Sequence, residues 1–439
     1  MISYKSTNYL NMKLIKENVQ KCDSSYEITS CIIDIGSVSV NDILTWVKQM
    51  NDMRIQIRVK DDIIQMIVNK IVIENNYINN YDLMFESLYI ILKWIKPNFQ
   101  IFNESKIDEF LYHKLHSNYS DKGLKETLKI FILLAANCSK ENNGFEENIF
   151  NLFSLIDCKN DEIFELYLRL LYNYVYSVNE ENSIVKIIRI IADKLLKTND
   201  THLIKLCLGI LKNIAISSPL VFINICNKSN LLQIIMSFRS TVMPFHSYIL
   251  SILIIIFLNM NETMNINIQN ISIYLFSITK ENMIFFDEKV LLKLSQISLI
   301  LCKKIHSFPE IICQNVMFLN ILISKIDEFS YDYKNNICNL LMTIMEHSFT
   351  CAEICIKKLN AIKHLMCLFY MDELISVQKV SQTFLNVFDL CYNEETRKDF
   401  ISILINEGIL NTILELSINS NSFCNELFDL SIQINKNIN

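Results

Sequence analysis

Two stretches decide how this chain is read: LGILKNIAISSPLVFINICNKSNLLQIIMSF at 208–238 and ISLILCKKIHSFPEIICQNVMFLNILISKID at 297–327. At an offset of about 90, Pro219 falls on Pro309 and LLQIIM falls on ILISKI. In each stretch a run of apolar residues at helical spacing stops just before a proline, a residue suited to the first turn of a helix and not to its interior. A shorter apolar run follows. Ninety residues are two units of about 45, so both stretches belong to an internal repeat.

Two sets of landmarks extend the repeat. Helices resembling LLQII are predicted from Ile63, Ile107, Ile149, Ile184, Leu231, Ile271, Ile321, Ile362 and Ile409. A polar residue near the end of the helix before the next unit recurs as Lys93, Asn137, Asn173, Asn213, Asn259, Lys303, Thr343 and Asn386, with gaps of 44, 36, 40, 46, 44, 40 and 43. A period near 42 with two or three helices per unit is the signature of armadillo and HEAT architecture. The expectation is therefore an all-α, right-handed superhelical solenoid of about eight to nine armadillo-type repeats over 41–435, preceded by an N-terminal arm at 1–40. The competing reading is an irregular helical protein whose biased composition imitates a period. It must explain two independent landmarks that keep step for more than 300 residues.

Composition points the same way. At 439 residues the chain exceeds the size at which one compact core stops growing. It holds only 5 Gly and 4 Pro, too few for the turns and phosphate-binding loops of a multi-domain α/β enzyme. Hydrophobic residues make up 51%, enough for a long helical core. The net charge of −6 argues against nucleic acid as the main partner, which would call for a basic face. The 14 Cys are scattered through apolar stretches, as at Cys207, Cys302 and Cys338, in the manner of reduced buried thiols. MISYKSTNYLNMKLIKENVQ lacks the apolar segment of a signal peptide, and the apolar run Tyr248 to Leu258 is about half the length of a membrane span. A soluble intracellular protein with no membrane role is expected.

Catalytic chemistry finds little footing. No GxxxxGK[ST], GxGxxG, GxSxG or HExxH pattern occurs. His347, Cys351 and Cys355, at i, i+4 and i+8, could share a helix face as metal ligands, with His364 and Cys367 nearby, but buried Cys in the stripe SFTCAEICIKKL suits packing better. Asp61–Asp62, Glu146–Glu147 and Glu180–Glu181 sit in loops or at helix starts, where carboxylates complement the helix dipole. No enzyme activity, cofactor or metal is expected.

Three segments resemble the importin-α family, the armadillo adaptors that carry basic nuclear localisation signals. NDILTWVKQM with DDIIQMIVNKI and FESLYIILKWIK (41–96) is similar to the family's first repeat, KETLKIFILLAANCSKENN (125–143) to the second, and NEETRKDFISILINEGILNTILELSINSNSFCNELFDLSIQI (393–434) to the closing one. The resemblance spans roughly 41–435 and implies an extended peptide bound along a concave groove, with residence in cytoplasm and nucleus. An asparagine ladder would hydrogen-bond the peptide backbone, carried here by Asn137, Asn173 and Asn213 and also by Asn259 and Asn386. Glu141, four residues after Asn137, stands where the family keeps an acid for a signal lysine. Tryptophan slots, one turn before the ladder, would hold lysine stems. In this sequence those positions are Tyr89, Leu133, Arg169, Gly209, Ile255 and Gln382, and only Tyr89 is aromatic. Trp46 and Trp94 lie out of register. The family's N-terminal arm is arginine-rich and engages importin-β, whereas residues 1–40 hold Lys5, Lys13, Lys16 and Lys21 and no arginine. In so Asn-rich a chain, asparagines near helix ends also serve as caps or solvated residues. The alternative function is a protein–protein interaction scaffold without cargo transport.

Overall fold

The structure is a computed structural model that describes residues 20–22, 25–28, 37–52, 57–59, 61–94, 107–117, 120–137, 148–150, 152–153, 155–156, 160–176, 178, 180–238, 243–260, 267–281, 287–369 and 374–408. The chain divides into two compact units, Met1–Ser217 and Ser218–Asn439.

In the first unit the helices are α1 Val40–Asp52, α2 Asp61–Ile73, α3 Tyr81–Trp94, α4 Ile107–Ser117, α5 Asp121–Asn137, α6 Asp161–Tyr174, α7 Glu181–Lys197 and α8 Thr201–Ser217. A small sheet accompanies them, which the sequence did not suggest. Gln20–Cys22 (β1) runs antiparallel to Ser25–Ile28 (β2), and β2 runs parallel to Ile57–Val59 (β3), the strand between α1 and α2. Tyr26–Ile28 of the expected arm are thus paired with Ile57–Val59, which follow α1.

Helices α1, α3, α5, α6 and α8 stack side by side as a row. Their starts explain why. Each is preceded by a short polar residue whose side chain accepts a hydrogen bond from the amide three residues on: Ser39 from Asp42, Asn80 from Leu83, Ser120 from Gly123, Asn160 from Ile163 and Asp200 from Leu203. These are N-caps, which satisfy amides that the first turn leaves without partners. After the first interval of 41 residues they recur every 40, so the first unit keeps a strict period. The row helices pack closely. A Cβ on Gly123 would meet the Phe85 ring of α3 at 2.9 Å, which is why the first turn of α5 carries a glycine there. Leu44, Leu88, Leu128, Leu168 and Leu208, again 40 or more apart, are all wholly buried.

In the second unit the helices are α9 Pro219–Lys228, α10 Leu231–Ser237, α11 Met243–Asn259, α12 Ile268–Glu281, α13 Glu288–Lys304, α14 Phe308–Cys313, α15 Val316–Ile323, α16 Tyr331–Met345, α17 Phe349–Leu359, α18 Ala361–Phe369, α19 Leu374–Leu390 and α20 Glu394–Asn406. Three times two short helices lead into a long one: α9–α10–α11, α14–α15–α16 and α17–α18–α19. The long helices α11, α13, α16 and α19 form this unit's row. Pro219 and Pro309 stand in the first turns of α9 and α14. The fold is thus an all-α solenoid of armadillo-type repeats carrying one small N-terminal sheet. Tyr248–Leu258 lies in α11, whose apolar residues Ile249, Leu250, Leu253 and Phe257 are buried, and among the described residues no single helix is long and apolar enough to cross a membrane.

The landmarks meet the structure closely. All eight polar landmarks fall on row helices, from Lys93 in α3 to Asn386 in α19. Several helix starts shift: α2, α7 and α12 begin at Asp61, Glu181 and Ile268, two or three residues before Ile63, Ile184 and Ile271. The helix containing Ile321 begins at Val316, because Asn315 caps it by accepting from the Phe318 amide. Ile149 is buried and helical, and the described residues 148, 150, 152 and 153 around it are helical too. The helix expected from Ile409 lies outside the described residues.

Candidate peptide-binding face

The caps give an internal ruler for the first unit. Lys93, Asn173 and Asn213 each stand thirteen residues after their cap (Asn80, Asn160, Asp200), whereas Asn137 stands seventeen after Ser120. Asn137 is therefore one helical turn further along than Asn173 and Asn213, and the residue of α5 in their register is Leu133. The gap of 36 between Asn137 and Asn173 carried this slip. The side chain of Asn137, and Glu141 altogether, lie outside the described residues.

Asn173 and Asn213 are brought into one arrangement. The Asn173 amide donates to the Ile132 carbonyl of α5 at 3.2 Å, and the Asn213 amide to the Tyr172 carbonyl of α6 at 3.4 Å. Each reaches back to the preceding row helix across 41 residues. Asn213 is only 3% exposed. Burial pushes the Tyr176 hydroxyl above its usual pKa, the neighbouring Tyr172 adds to the rise, and Asn213 opposes it. Ser217 continues the pattern, donating to the Val175 carbonyl at 3.5 Å. In the second unit Asn259 instead donates to Ile255 of its own helix at 2.8 Å, and Asn386 accepts from Gln382 at 3.0 Å. There a bond to the end of the preceding row helix is made by Lys304, whose ammonium donates to the Leu258 carbonyl at 2.9 Å.

The aromatic-slot column also changes once the register is set by the caps. Nine residues beyond Ser39, Asn80, Ser120, Asn160 and Asp200 stand Lys48, Tyr89, Lys129, Arg169 and Gly209. Lys129 thus replaces Leu133 in the column, which is largely cationic. Each cation is matched by an acid: Lys48 with Glu86 at 2.9 Å, Lys129 with Glu126 at 2.7 Å, and Arg169 with Glu165 at 2.7 Å. Lys122 also reaches Glu86, at 3.1 Å, and His202 reaches Glu165 at 3.2 Å, so the pairs bridge successive repeats. At Glu86 partial burial pushes the carboxyl pKa up, but hydrogen bonds and charge from Lys48 and Lys122 outweigh it and leave the group below its ordinary value. The Glu86 hydrogen bond and charge hold Lys48 above its ordinary value. The Tyr89 ring is already in contact with cations of the chain itself, Lys93 at 4.3 Å and Lys129 at 5.5 Å from its centroid.

Sequence reasoning passed over Tyr172, Tyr176 and Ile216. The signal was present, because LYNYVYS places Tyr172 and Tyr176 one turn apart beside Asn173, and Tyr176 and Ile216 lie 40 apart. Elsewhere, His347 stacks edge-on against His306 at 4.6 Å and lies 3.7 Å from Glu310. Cys351 and Cys355 are buried, with Cys313 of α14 beside them. Among the described residues no group of three or more His, Cys, Asp or Glu is arranged to hold a metal ion.

A row of long helices in repeat register, with side chains of each unit bonded to the one before, defines an armadillo-type helical-repeat protein. Comparison with one solved structure agrees on the fold. The chain is similar to an engineered protein solved by the Northeast Structural Genomics Consortium, with 13% identity, coverage of 92% of this chain and 97% of that one, and a TM-score of 0.64. It is also similar to a designed armadillo repeat protein, with 12% identity, coverage of 56% of this chain and 99% of that one, and a TM-score of 0.42. No family model and no curated protein matches the chain.

Proposed function

We propose that this chain is a protein-interaction scaffold that binds a segment of another protein along the row-helix face of its first unit. One observation carries the reading: the 40-residue register of caps repeats equivalent side chains of successive helices on one face. A solenoid built this way offers a long regular surface and no enclosed chemistry. The test places a photo-crosslinking amino acid at Arg169 or Tyr176 of the row and, as control, at Leu196 of α7, which is 65% exposed. Discrete adducts are expected from the row positions. Adducts from Leu196 alone would overturn the assignment of the face.

A narrower reading, an importin-α-like adaptor for basic localisation-signal peptides, draws support from one constellation. Tyr89 and Glu126 hold the Lys129 ammonium much as they would hold a lysine of a signal. This reading brings with it shuttling between cytoplasm and nucleus and an importin-β carrier contacted through residues 1–40. Asn173, Asn213, Asn259, Asn386 and Asn137 would contribute backbone contacts and Glu141 a carboxylate. Saturable binding of a fluorescent Lys/Arg-rich peptide, weakening with salt and with Tyr89→Ala, is the expected result. No binding at low salt removes the reading.

A further inference from the structure

The cysteines of the second unit are not all placed alike. Cys338 of α16 and Cys391, just after α19, each lie against a backbone carbonyl, that of His364 at 3.7 Å and that of Val387 at 3.4 Å. Three others lie against one another. Cys313 closes α14, and α14 packs on α17, where Cys351 and Cys355 stand one turn apart on one face. The Cys313 sulfur neighbours both. None of the three is more than 2% exposed.

Cys313 and Cys351 stand out as a pair. Each neighbours the other, and both feel the charge of Glu310, whose side chain is 62% exposed, so the pair lies just beneath the surface. Cys351 stands in the first turn of α17, where Ser348 accepts from its amide at 3.3 Å, and Cys313 is the last residue of α14. Both therefore sit at helix ends, which open more readily than helix interiors. Cys355, one turn further into α17, is wholly buried. The thiols of the pair are protonated at neutral pH. Cys351 lowers the Cys313 pKa, but Cys355, burial and Glu310 raise it and leave it at about 12. The Cys313 thiol and burial push Cys351 up as well. Protonation slows oxidation, yet it does not weaken the product, because packing already holds the two sulfurs side by side.

We propose that Cys313 and Cys351 form an oxidation site at which a hydroperoxide joins α14 to α17 through a disulfide. Hydrogen peroxide transfers one oxygen to the Cys313 sulfur, giving a sulfenic acid and one water. The Cys351 sulfur then attacks that sulfur, gives up its proton and expels the oxygen as a second water. The two thiols lose two electrons and two protons, and the peroxide is reduced. The bridge spans positions 313 and 351 and so links α14–α15–α16 to α17–α18–α19. In a chain whose repeats hold chiefly to their neighbours, such a link suppresses local opening between two of them. The bridge belongs to the second unit and does not depend on the binding face proposed for the first.

The experiment exposes the full chain to hydrogen peroxide, blocks the remaining thiols by alkylation and maps bridges by mass spectrometry of a non-reduced digest. Expected is one bridge, Cys313–Cys351, formed slowly and removed by dithiothreitol. Hydrogen exchange in α14 and α17 of the oxidised chain should slow about tenfold or more. Cys313→Ala should abolish the bridge, and Cys355→Ala should keep it. Should Cys313→Ala fail to fold, the map of the unaltered chain decides alone. A bridge through Cys355, no bridge at all, or a reaction seen only after unfolding in urea would overturn the pairing. A Cys313–Cys351 bridge that leaves exchange unchanged would overturn its role as a staple between repeats.

Discussion

At Asn213 one buried side chain joins two repeats through the Tyr172 carbonyl. Removing it leaves a part-buried carbonyl without this donor, and an unsatisfied group out of full contact with water costs more than the average hydrogen bond is worth. Asn213→Ala is expected to lower stability by about 1–3 kcal/mol, and Asn173→Ala by less, because Asn173 is only half-buried. Urea unfolding of the full chain measures both, and equal losses for the two would contradict this account. The sequence identified these asparagines as a recurring class and as members of the row. Their partners were not legible, because a spacing of 41 residues gives no sign of whether an amide faces a ligand or the neighbouring helix. The slip at Asn137 was hidden for a related reason: the ruler is the cap, and Ser120 in NYSDKG is one polar residue among several.

At the level of elements, the ladder of ion pairs across α1, α3, α5 and α6 ties stability to pH. Glu86, placed between Lys48 and Lys122, has a carboxyl pKa held below its ordinary 4.5 in the folded chain. A depressed acid contributes stability that is present above its unfolded pKa and is lost as pH falls through its folded one. The first unit should therefore weaken as pH drops from about 4.5 downward, and Glu86→Gln should flatten that part of the profile. Thermal midpoints recorded from pH 3 to 7 with about 0.1 M salt test this, since the partly exposed pair is screened by salt. A profile that Glu86→Gln leaves equally steep would show that other carboxylates govern it. Helix existence was easy to read here because apolar periodicity fixes it. The short strands β1, β2 and β3 were not, because three or four residues are too few to establish an alternation.

For the molecule as a whole, the construction is local. The polar bonds between rows join residues some 37 to 46 apart: Lys125 with Glu162, Asn173 with Ile132, Ser217 with Val175, Lys293 with Ser247, Thr383 with Glu346. The two short-helix runs quoted at the outset revealed the repeat because each unit buries its core against its neighbours and must present the same pattern. The division at Ser217 and Ser218 left no such trace, since no glycine-rich or proline-rich linker marks it. A chain held together by neighbours behaves as a one-dimensional array, in which a local loss of stability spreads to adjacent repeats and fades beyond them. Asn160→Ala supplies a local perturbation, because it removes one cap worth about 1 kcal/mol. Hydrogen exchange should then quicken in α6, less in α5 and α8, and not in α1, three rows away. Uniform quickening across α1 to α8 would mean that the first unit opens as one cooperative body, and the nearest-neighbour description would have to be given up.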